Sequence, residues 1–253
     1  MIVNHGASAI PRLLILGGTT EASALARAVA EHGLDATLSY AGRVERPRAQ
    51  PIPVRTGGFG GPDGLAQWLQ AHGITHLIDA THPFSAQMSR NAVLAAGIAG
   101  IEHIALTRPP WTAEPGDRWT HVPDIPAAVS ALDSPPQRIM LAIGRMHLAN
   151  FTARPQHHYL LRLVDEPAEP PPLPDCTVLV DRGPFTAAGD RQLMQTHEIG
   201  LVVSKNAGGE GARSKLTAAR TLGLPVLMID RPALPPRTEV TTVREVLAWI
   251  GGT

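Results

Sequence analysis

The feature that most constrains the fold of this chain is an internal repeat. Residues 95–109 and 218–232 carry, at the same offsets, an alanine pair, a glycine, an apolar run and an Arg-Pro dipeptide. Each dipeptide is followed by a proline-containing loop and then by a strand-like and a helix-like segment, at 121–132 and at 239–250. Because so many positions correspond in the same order, the pattern predicts that the second half of the chain duplicates the first.

Within the first repeat, short apolar runs alternate with segments of helical periodicity. Leu13 to Leu16 predicts a buried strand, and apolar residues then recur at helical spacing from Ala22 to Ala30, with Gly33 as a stop signal. Further strands are predicted at 36–40, 52–55, 76–80 and 101–106, and further helices at 64–71 and 85–96. This alternation indicates an α/β protein, and the repeat predicts two Rossmann-like parallel-sheet domains related by internal duplication.

The predicted halves are residues 10–133 and 137–253, joined near the prolines of 134–136. One continuous sheet with coincidental similarity is the alternative. The five prolines of 166–175 exclude a helix or a central strand there, so we expect an exposed loop. The similar Arg-Pro dipeptides leave open whether the last strand of each half pairs within its own half or exchanges with the other.

Composition excludes several classes of function. The 22 basic and 22 acidic residues balance, which argues against a nucleic-acid partner but allows a local cationic site for a small anion. The single cysteine, Cys176, excludes an intrachain disulfide and a cysteine-rich zinc site, and the histidines show no metal-site spacing. No secretory signal and no bilayer-spanning run is evident, so we expect a soluble cytoplasmic protein without a membrane partner.

Two loops of the first half predict a dinucleotide site, because ligands of parallel α/β sheets bind at the carboxyl ends of the strands. The run Gly17-Gly18-Thr19-Thr20-Glu21 offers a tight turn and a helix N-terminus to phosphate. It departs from G-x-G-x-x-G, so a simple strand–helix turn is the alternative. After the next strand, Ser39, Tyr40 and Arg43 precede any acidic residue, which favours NADPH over NAD unless Arg43 is only a solvated loop residue.

Three further loops carry candidate ligand contacts. His82 precedes Pro83, which restricts it to extended conformations; its ring either acts as a proton donor or packs in the core. Lys205 falls at the position of His82 in the ungapped pairing of the repeats and precedes a glycine cluster. It suits a polyanionic ligand, or it is an exposed loop lysine. The glycines of 57–61 either admit a dinucleotide or form a flexible lid.

Together these loops resemble those of the precorrin-6A reductase family. The run Asp79-Ala80-Thr81-His82-Pro83-Phe84 and the run Lys205-Asn206-Ala207-Gly208-Gly209 are specific in combination. The matching stretches follow in order through nearly the whole chain, at 15–22, 79–84, 142–145, 204–209 and 230–232. The family commonly reads Thr-Lys-Asn-Ser where this chain has Ser-Lys-Asn-Ala, which puts in doubt only hydroxyl contacts at position 207.

The resemblance implies hydride transfer from NADPH that converts precorrin-6A to precorrin-6B. We expect NADPH mainly on the first half and an anionic tetrapyrrole in a cleft between the halves of a monomer or weak homo-oligomer. His82 and Lys205 are the candidate catalytic residues, with water as the alternative proton source. The candidate cofactor contacts are Gly17, Gly18, Thr19, Thr20, Glu21, Ser39, Tyr40, Arg43, Gly58 and Thr81. The candidate substrate contacts are His82, Phe84, Ser85, Arg108, Trp111, Arg145, Lys205, Asn206, Gly208, Gly209 and Arg231.

Two other functions remain open. An NADPH-dependent reductase of another small molecule would keep the loops of the first half but would not need the Lys205 loop. A non-catalytic NADP-sensing protein would bind the cofactor without oxidising it. The presence of both sets of loops favours the corrin reductase over another reductase, and the sensor ranks lowest because the sequence supports no DNA-reading element or extended partner surface.

Overall fold

The computed structural model describes residues 10–41 and 49–252. They form two compact units: unit 1 comprises the described residues of Met1–Arg108 and Ala233–Thr253, and unit 2 is Pro109–Pro232. The strands are β1 (Arg12–Leu16), β2 (Asp35–Tyr40), β3 (Val54–Thr56), β4 (His76–Asp79), β5 (Glu102–Leu106), β6 (Arg118–Val122), β7 (Arg138–Ala142), β8 (His158–Leu163), β9 (Cys176–Val180), β10 (Leu201–Lys205), β11 (Pro225–Ile229) and β12 (Glu239–Val240). The helices are α1 (Thr20–Glu31), α2 (Pro62–Ala71), α3 (Ala86–Ala99), α4 (Ile125–Ala131), α5 (Ala187–Thr196), α6 (Ser214–Thr221) and α7 (Val243–Gly251), with 3₁₀ helices at Arg145–Ala153 and Glu210–Ala212.

Unit 1 contains a six-stranded parallel sheet with the order β3-β2-β1-β4-β5-β12. This is the strand order of doubly wound dinucleotide-binding domains, in which the order reverses between β1 and β4. Leu16 at the end of β1 pairs with Ser39 of β2 and with Asp79 of β4. The carboxyl ends of these strands are therefore level, and the loops that follow them lie along one edge of the sheet.

Unit 2 repeats this architecture. Its six parallel strands have the order β9-β8-β7-β10-β11-β6, with β7 and β10 at the reversal point. Ala142 at the end of β7 pairs with Ser204 of β10, and Ser204 pairs with Met228 of β11. The prediction of two Rossmann-like parallel sheets related by duplication is confirmed.

The compact units differ from the predicted halves, 10–133 and 137–253, because the last strand of each repeat pairs in the other sheet. β6 lies along β11 over five residue pairs, from Pro225 with Arg118 to Ile229 with Val122. β12 pairs with β5 through Glu239 with Ala105 and Val240 with Leu106. Exchange of the sixth strands therefore assigns 109–133 to unit 2 and 233–252 to unit 1.

Helices cover both faces of the sheet in unit 1. Successive residues of a strand point to opposite faces, so alternate residues of β1 pack against different helices. Leu13 and Ile15 of β1 pack with the apolar face of α1 and with Val246 and Ile250 of α7. Leu14 and Leu16 pack on the other face with α2 and α3. The apolar residues of α1 that recur at helical spacing, from Ala22 to Val29, are buried, as the helical period of the sequence predicts.

Glycine and proline also interrupt helices and strands where the sequence predicts it. Gly33, with φ +65°, ends α1 just beyond His32. Residues 166–175 form no helix or strand and connect β8 to β9. None of the helices in the described part of the chain is long and apolar enough to cross a membrane.

Candidate functional site

The turn between β1 and α1 is built for close approach to the backbone. Gly17 donates its N–H to the carbonyl oxygen of Ser39 at 2.9 Å, and a Cβ atom at Gly17 would lie 2.6 Å from Leu38 Cδ1. Gly18 has φ +120°, in the region where side chains are disfavoured, and a Cβ there would meet nothing within 4 Å. The backbone at Gly18 is therefore open to a ligand.

Thr19 joins this turn to the next strand of the sheet. As the N-cap of α1, its Oγ1 accepts a hydrogen bond from the N–H of Ala22 at 3.1 Å. The same hydroxyl donates to the carbonyl oxygen of Ala80 at 2.8 Å. The hydroxyl of Thr19 thus fixes the β1 and β4 loops to each other.

Glu21 places a carboxylate in the first turn of α1. Arg108, after β5, donates Nη1 to both carboxylate oxygens at 3.2 Å. Burial raises the pKa of Glu21, but its own backbone N–H, the charge of Arg108 and the Thr20 hydroxyl lower it, and the net pKa is below the ordinary value. Because Arg108 neutralises this carboxylate, the helix N-terminus keeps its positive dipole for a phosphate.

Asp79 at the end of β4 organises the third loop. Its Oδ1 accepts from the N–H and hydroxyl of Thr81, at 3.1 and 2.6 Å. Its Oδ2 accepts from the Ser89 hydroxyl and from Arg237 Nη1, both at 2.6 Å. The side chains of Asp79 and Arg237 are 2% and 6% exposed, so this is a buried ion pair between β4 and the segment before β12. Thr81 is therefore held by the carboxylate of Asp79.

His82, Phe84 and Ser85 follow in the same loop and are half-buried. Nδ1 of His82 accepts a hydrogen bond from the N–H of Phe84 at 3.2 Å, so the proton of a neutral ring is on Nε2. Ser85 is the N-cap residue of α3, but its side chain makes no capping bond. The carbonyl oxygen of His82 accepts from the N–H of Ser85 at 2.7 Å, which makes the loop compact.

The ends of β2 and β3 form a polar pair beside the β1 turn. The Ser39 hydroxyl accepts a hydrogen bond from Arg55 Nη1 at 2.9 Å. The Tyr40 hydroxyl accepts from Gln50 Nε2 at 2.9 Å. Gly58 is exposed, and its carbonyl oxygen accepts from Arg55 Nη2 at 3.1 Å. Arg43, a predicted cofactor contact, lies outside the described residues.

Lys205 is the last residue of β10 in unit 2 and is half-buried. Burial lowers the pKa of Lys205 from 10.5 to about 8. His82 lies three residues beyond the last residue of β4, so Lys205 and His82 are not equivalent in the two sheets. The ungapped pairing of the repeats therefore does not match equivalent positions at these strand ends. The reason is that the segment between β4 and α3 is shorter than the segment between β10 and α6.

The residues after Lys205 form a clasp with Trp111. The Asn206 side chain accepts from the N–H of Trp111 at 2.7 Å and donates to its carbonyl oxygen at 3.0 Å. Trp111 Nε1 donates to the carbonyl oxygen of Gly209 at 2.9 Å, and Arg231 Nε donates to that of Asn206 at 3.0 Å. A Cβ at Gly208, whose φ is +71°, would lie 2.1 Å from the Pro109 carbonyl oxygen. These contacts show what the clasp residues do within unit 2: they fix the loop that carries Lys205.

Arg145 takes the place in unit 2 that the glycine-rich turn takes in unit 1. It follows Gly144 at the end of β7, begins a 3₁₀ helix and is exposed. Its charge is therefore available at the reversal point of the second sheet, between β7 and β10.

The structure brings the predicted residues together in two groups, one per unit. In unit 1 they lie at the carboxyl ends of β1 to β5: Gly17, Gly18, Thr19, Thr20, Glu21, Ser39, Tyr40, Gly58, Thr81, His82, Phe84, Ser85 and Arg108. In unit 2 they lie after β7, β10 and β11 and in the segment before β6: Arg145, Lys205, Asn206, Gly208, Gly209, Arg231 and Trp111. Their predicted ligand contacts remain predictions.

Sequence reasoning missed three residues that shape the first group: Asp79, Arg237 and Arg55. The signal for Asp79 was present, because an acid at the end of an apolar strand needs a buried partner. Arg55 lies two residues before the glycine cluster of 57–61. No sequence signal links Arg237 to Asp79, 158 residues away.

Unit 1 has the features that a dinucleotide requires. They are an open glycine turn before a helix, a neutralised carboxylate at that helix and an arginine at the end of the neighbouring strands. Unit 2 instead presents a cation of lowered pKa and an exposed arginine. The loops of unit 1 thus suit a dinucleotide, and the strand ends of unit 2 suit an anionic ligand.

Comparison with known proteins identifies the family of this chain. The family model described as Precorrin-6x reductase CbiJ/CobK matches residues 12–251. A solved structure titled CobK precorrin-6A reductase superposes with a TM-score of 0.91 at 57% identity, covering 96% of each chain.

Relatives with the name precorrin-6A reductase span nearly the full length. The protein from Rhodobacter capsulatus is 58% identical over 94% of this chain and 95% of its own length. Those from Rhodococcus erythropolis and Mycobacterium tuberculosis are 47% and 39% identical, each over 95% of this chain and at least 97% of their own length. The chain therefore belongs to the precorrin-6x reductase family CbiJ/CobK.

Proposed function

We propose that this protein reduces precorrin-6A to precorrin-6B with NADPH as the hydride donor. The observation that carries the proposal is the family match over nearly the whole chain, combined with loops suited to a cofactor in unit 1 and a cationic strand end in unit 2. The balanced reaction consumes precorrin-6A, NADPH and one proton and releases precorrin-6B and NADP⁺. When bound, NADPH supplies the hydride.

Unit 1 holds the cofactor in this proposal. The backbone at Gly18 and the N-terminus of α1 bind the pyrophosphate, with Thr19 keeping the turn against β4. The Glu21–Arg108 pair limits repulsion between the acid and the phosphates. The end of β2, at Ser39, would lie beside the adenosine ribose, and Thr81, held by Asp79, follows β4 at the reversal point.

The substrate is an anionic tetrapyrrole with several carboxylate side chains. Arg145 is exposed at the end of β7 and offers forked donors to a carboxylate. Arg108 and Arg231 are engaged by Glu21 and by loop carbonyls, so we assign them a supporting role in shaping their loops. Trp111 is 5% exposed and supports the Lys205 loop.

Lys205 delivers the balancing proton. Its pKa of about 8 leaves most of the side chain protonated at neutral pH while the proton remains easy to transfer. His82 carries its neutral-form proton on Nε2 and is the second candidate donor. Delivery by Lys205 instead of by water makes the reaction depend on a group with a pKa of about 8.

The test is anaerobic incubation with precorrin-6A and NADPH, followed by absorbance at the cofactor band and by mass analysis of the macrocycle. We expect one NADPH consumed for each gain of two hydrogens by the macrocycle. Binding of NADPH without reduction of any macrocycle would overturn the proposal in favour of a sensor.

A second assay compares two forms of the substrate, the cobalt-free macrocycle and its cobalt complex. Relatives named cobalt-precorrin-6A reductase are less similar, such as that from Priestia megaterium at 31% identity, than those named precorrin-6A reductase. We therefore expect a higher kcat/KM with the cobalt-free macrocycle than with its cobalt complex. Equal or reversed values would contradict this preference.

A further inference from the structure

Arg55 occupies a distinctive place at the carboxyl edge of unit 1. It lies on β3 directly opposite Ser39 of β2 in the parallel register. Its Nη1 donates to the Ser39 hydroxyl and to the carbonyl oxygen of Gly57, both at 2.9 Å, and its Nη2 donates to that of Gly58 at 3.1 Å. One side chain therefore ties the end of β2 to the glycine loop after β3.

The guanidinium group lies over an aromatic ring. Its Cζ lies 3.8 Å from the centroid of the Phe59 ring, and Phe59 packs edge-on against Trp68 of α2 at 5.7 Å. Arg55 is half-buried, and burial lowers the pKa of its guanidinium below the ordinary value. Such an arginine is pre-organised, so binding an anion would cost little additional side-chain entropy.

The surroundings of Arg55 discriminate between two cofactors. In dinucleotide-binding domains the end of the second strand meets the adenosine ribose, where an acidic side chain selects NAD and an arginine selects NADP. Among the described residues of 39–41 and 49–59 there is no Asp or Glu. Among these described residues the charge is therefore positive, and Arg55 of β3 carries it.

On this basis we propose that Arg55 is a specificity-determining residue that binds the 2′-phosphate of NADPH, with Phe59 as its positioning residue. The inference rests on the proposed function, because it concerns the same cofactor site. The bonds to Ser39, Gly57 and Gly58 leave donors of the guanidinium for the phosphate. In this arrangement Arg55 also holds the glycine loop beside the cofactor, because it donates to the carbonyl oxygens of Gly57 and Gly58.

The test measures cofactor binding without substrate. NADPH and NADH are titrated into the protein by fluorescence, with 2′,5′-ADP as a fragment probe. For Arg55→Ala we expect NADPH affinity to fall about 10- to 100-fold, while NADH affinity changes less than about threefold. Arg55→Lys keeps the charge but not the fork, so we expect an intermediate loss. Phe59→Leu is expected to lose NADPH affinity without loss of NADH affinity.

The matched control is Arg12→Ala, because Arg12 begins β1 at the opposite edge of the same sheet and pairs with exposed Asp35. It should leave the ratio of NADPH to NADH affinity unchanged. If Arg55→Ala fails to fold, the Lys and Leu variants still decide. An unchanged ratio in these variants would overturn the role of Arg55, whereas a wild-type protein that does not prefer NADPH would overturn the cofactor assignment itself.

Discussion

Single side chains at the strand ends differ in how much of their polar surface their own unit already uses. Asn206 and Trp111 give their polar groups to each other and to Gly209, whereas Arg145 is exposed. Lys205 lies between these cases, because partial burial lowers its pKa without removing it from the surface. All four residue types suggested contact with a ligand. The burial of each side chain and its hydrogen bonds distinguish residues that hold a loop in place from residues that remain accessible to a ligand.

Lys205 should make turnover depend on pH. Its protonated form is lost as the pH rises through about 8, so we expect kcat to fall above that pH in the wild type. Lys205→Met should lower kcat by about 10²- to 10⁴-fold. Lys205→Arg keeps a positive charge that does not titrate in this range, so it should rescue kcat only if the role is purely electrostatic.

The pKa itself can be measured apart from activity. The chain has only two lysines, Lys205 and Lys215, so NMR of methylated lysines resolves both. A Lys205 resonance that titrates near 10.5 would contradict the burial argument and the pH profile together.

Gly208 should be a stability residue whatever it contacts. Alanine there would place a Cβ 2.1 Å from the Pro109 carbonyl at a φ of +71°. We expect Gly208→Ala to lower the free energy of unfolding by about 2–4 kcal/mol. Gly211→Ala is the control, since a Cβ there meets nothing within 4 Å. Thermal denaturation measures both, and equal melting temperatures would refute the steric argument.

At the scale of elements, one buried ion pair links three elements of unit 1. Asp79 connects the end of β4 to Ser89 of α3 and to Arg237 before β12. β12 itself is only two residues long, and its backbone pairing with β5 is correspondingly limited. The side-chain link therefore adds to the attachment of this sixth strand, together with the core packing of Val246 and Ile250 of α7.

Breaking that link should destabilise unit 1. Asp79→Asn leaves the buried Arg237 guanidinium with Glu239, 3.0 Å from its Nε, as its remaining carboxylate partner, so we expect a loss of about 1.5–3 kcal/mol. Asp79→Asn combined with Arg237→Met should recover part of this loss, because no buried charge then lacks a partner. Chemical denaturation of the two variants checks this, and an additive double mutant would show that the pair is not coupled.

The elements themselves were predictable where periodicity is long. The helix from Ala22 to Ala30 and the strand from Leu13 to Leu16 were found within a few residues, because apolar spacing sets both. The short β3 appeared at Val54–Thr56, two residues later than expected, since exposed edge strands carry little apolar pattern. Candidate residues could be located at strand ends from the order of the elements, whereas Arg237 could not be linked to Asp79, because its partner is far away in sequence.

At the scale of the whole molecule, duplication was visible in the sequence but the exchange of sixth strands was not decided by it. β6 and β12 follow similar Arg-Pro dipeptides, and either strand fits either edge by pattern alone. The outcome makes unit 2 one continuous stretch, Pro109–Pro232, and leaves unit 1 in two pieces.

Fragments should reveal this arrangement. A fragment of residues 109–232 contains every strand of its sheet and should fold cooperatively alone. A fragment of residues 10–133 has the length of the predicted half but lacks β12 and α7, and it should be unfolded or aggregate through the open edge of β5. Circular dichroism melts compare the two. A cooperative transition in residues 10–133 would show that the exchanged strand is dispensable.

The exchange also has a consequence for the order in which the protein matures on the ribosome. Domains generally fold as they emerge, starting from the N-terminus. Here the first five strands of unit 1 leave the exit tunnel early, yet β12 and α7 are among the last residues translated. The N-terminal sheet must therefore wait, incomplete and with an open edge, while the whole of unit 2 is synthesised. The part of the protein that is made first is finished last, and its nascent edge is where a chaperone would be needed most.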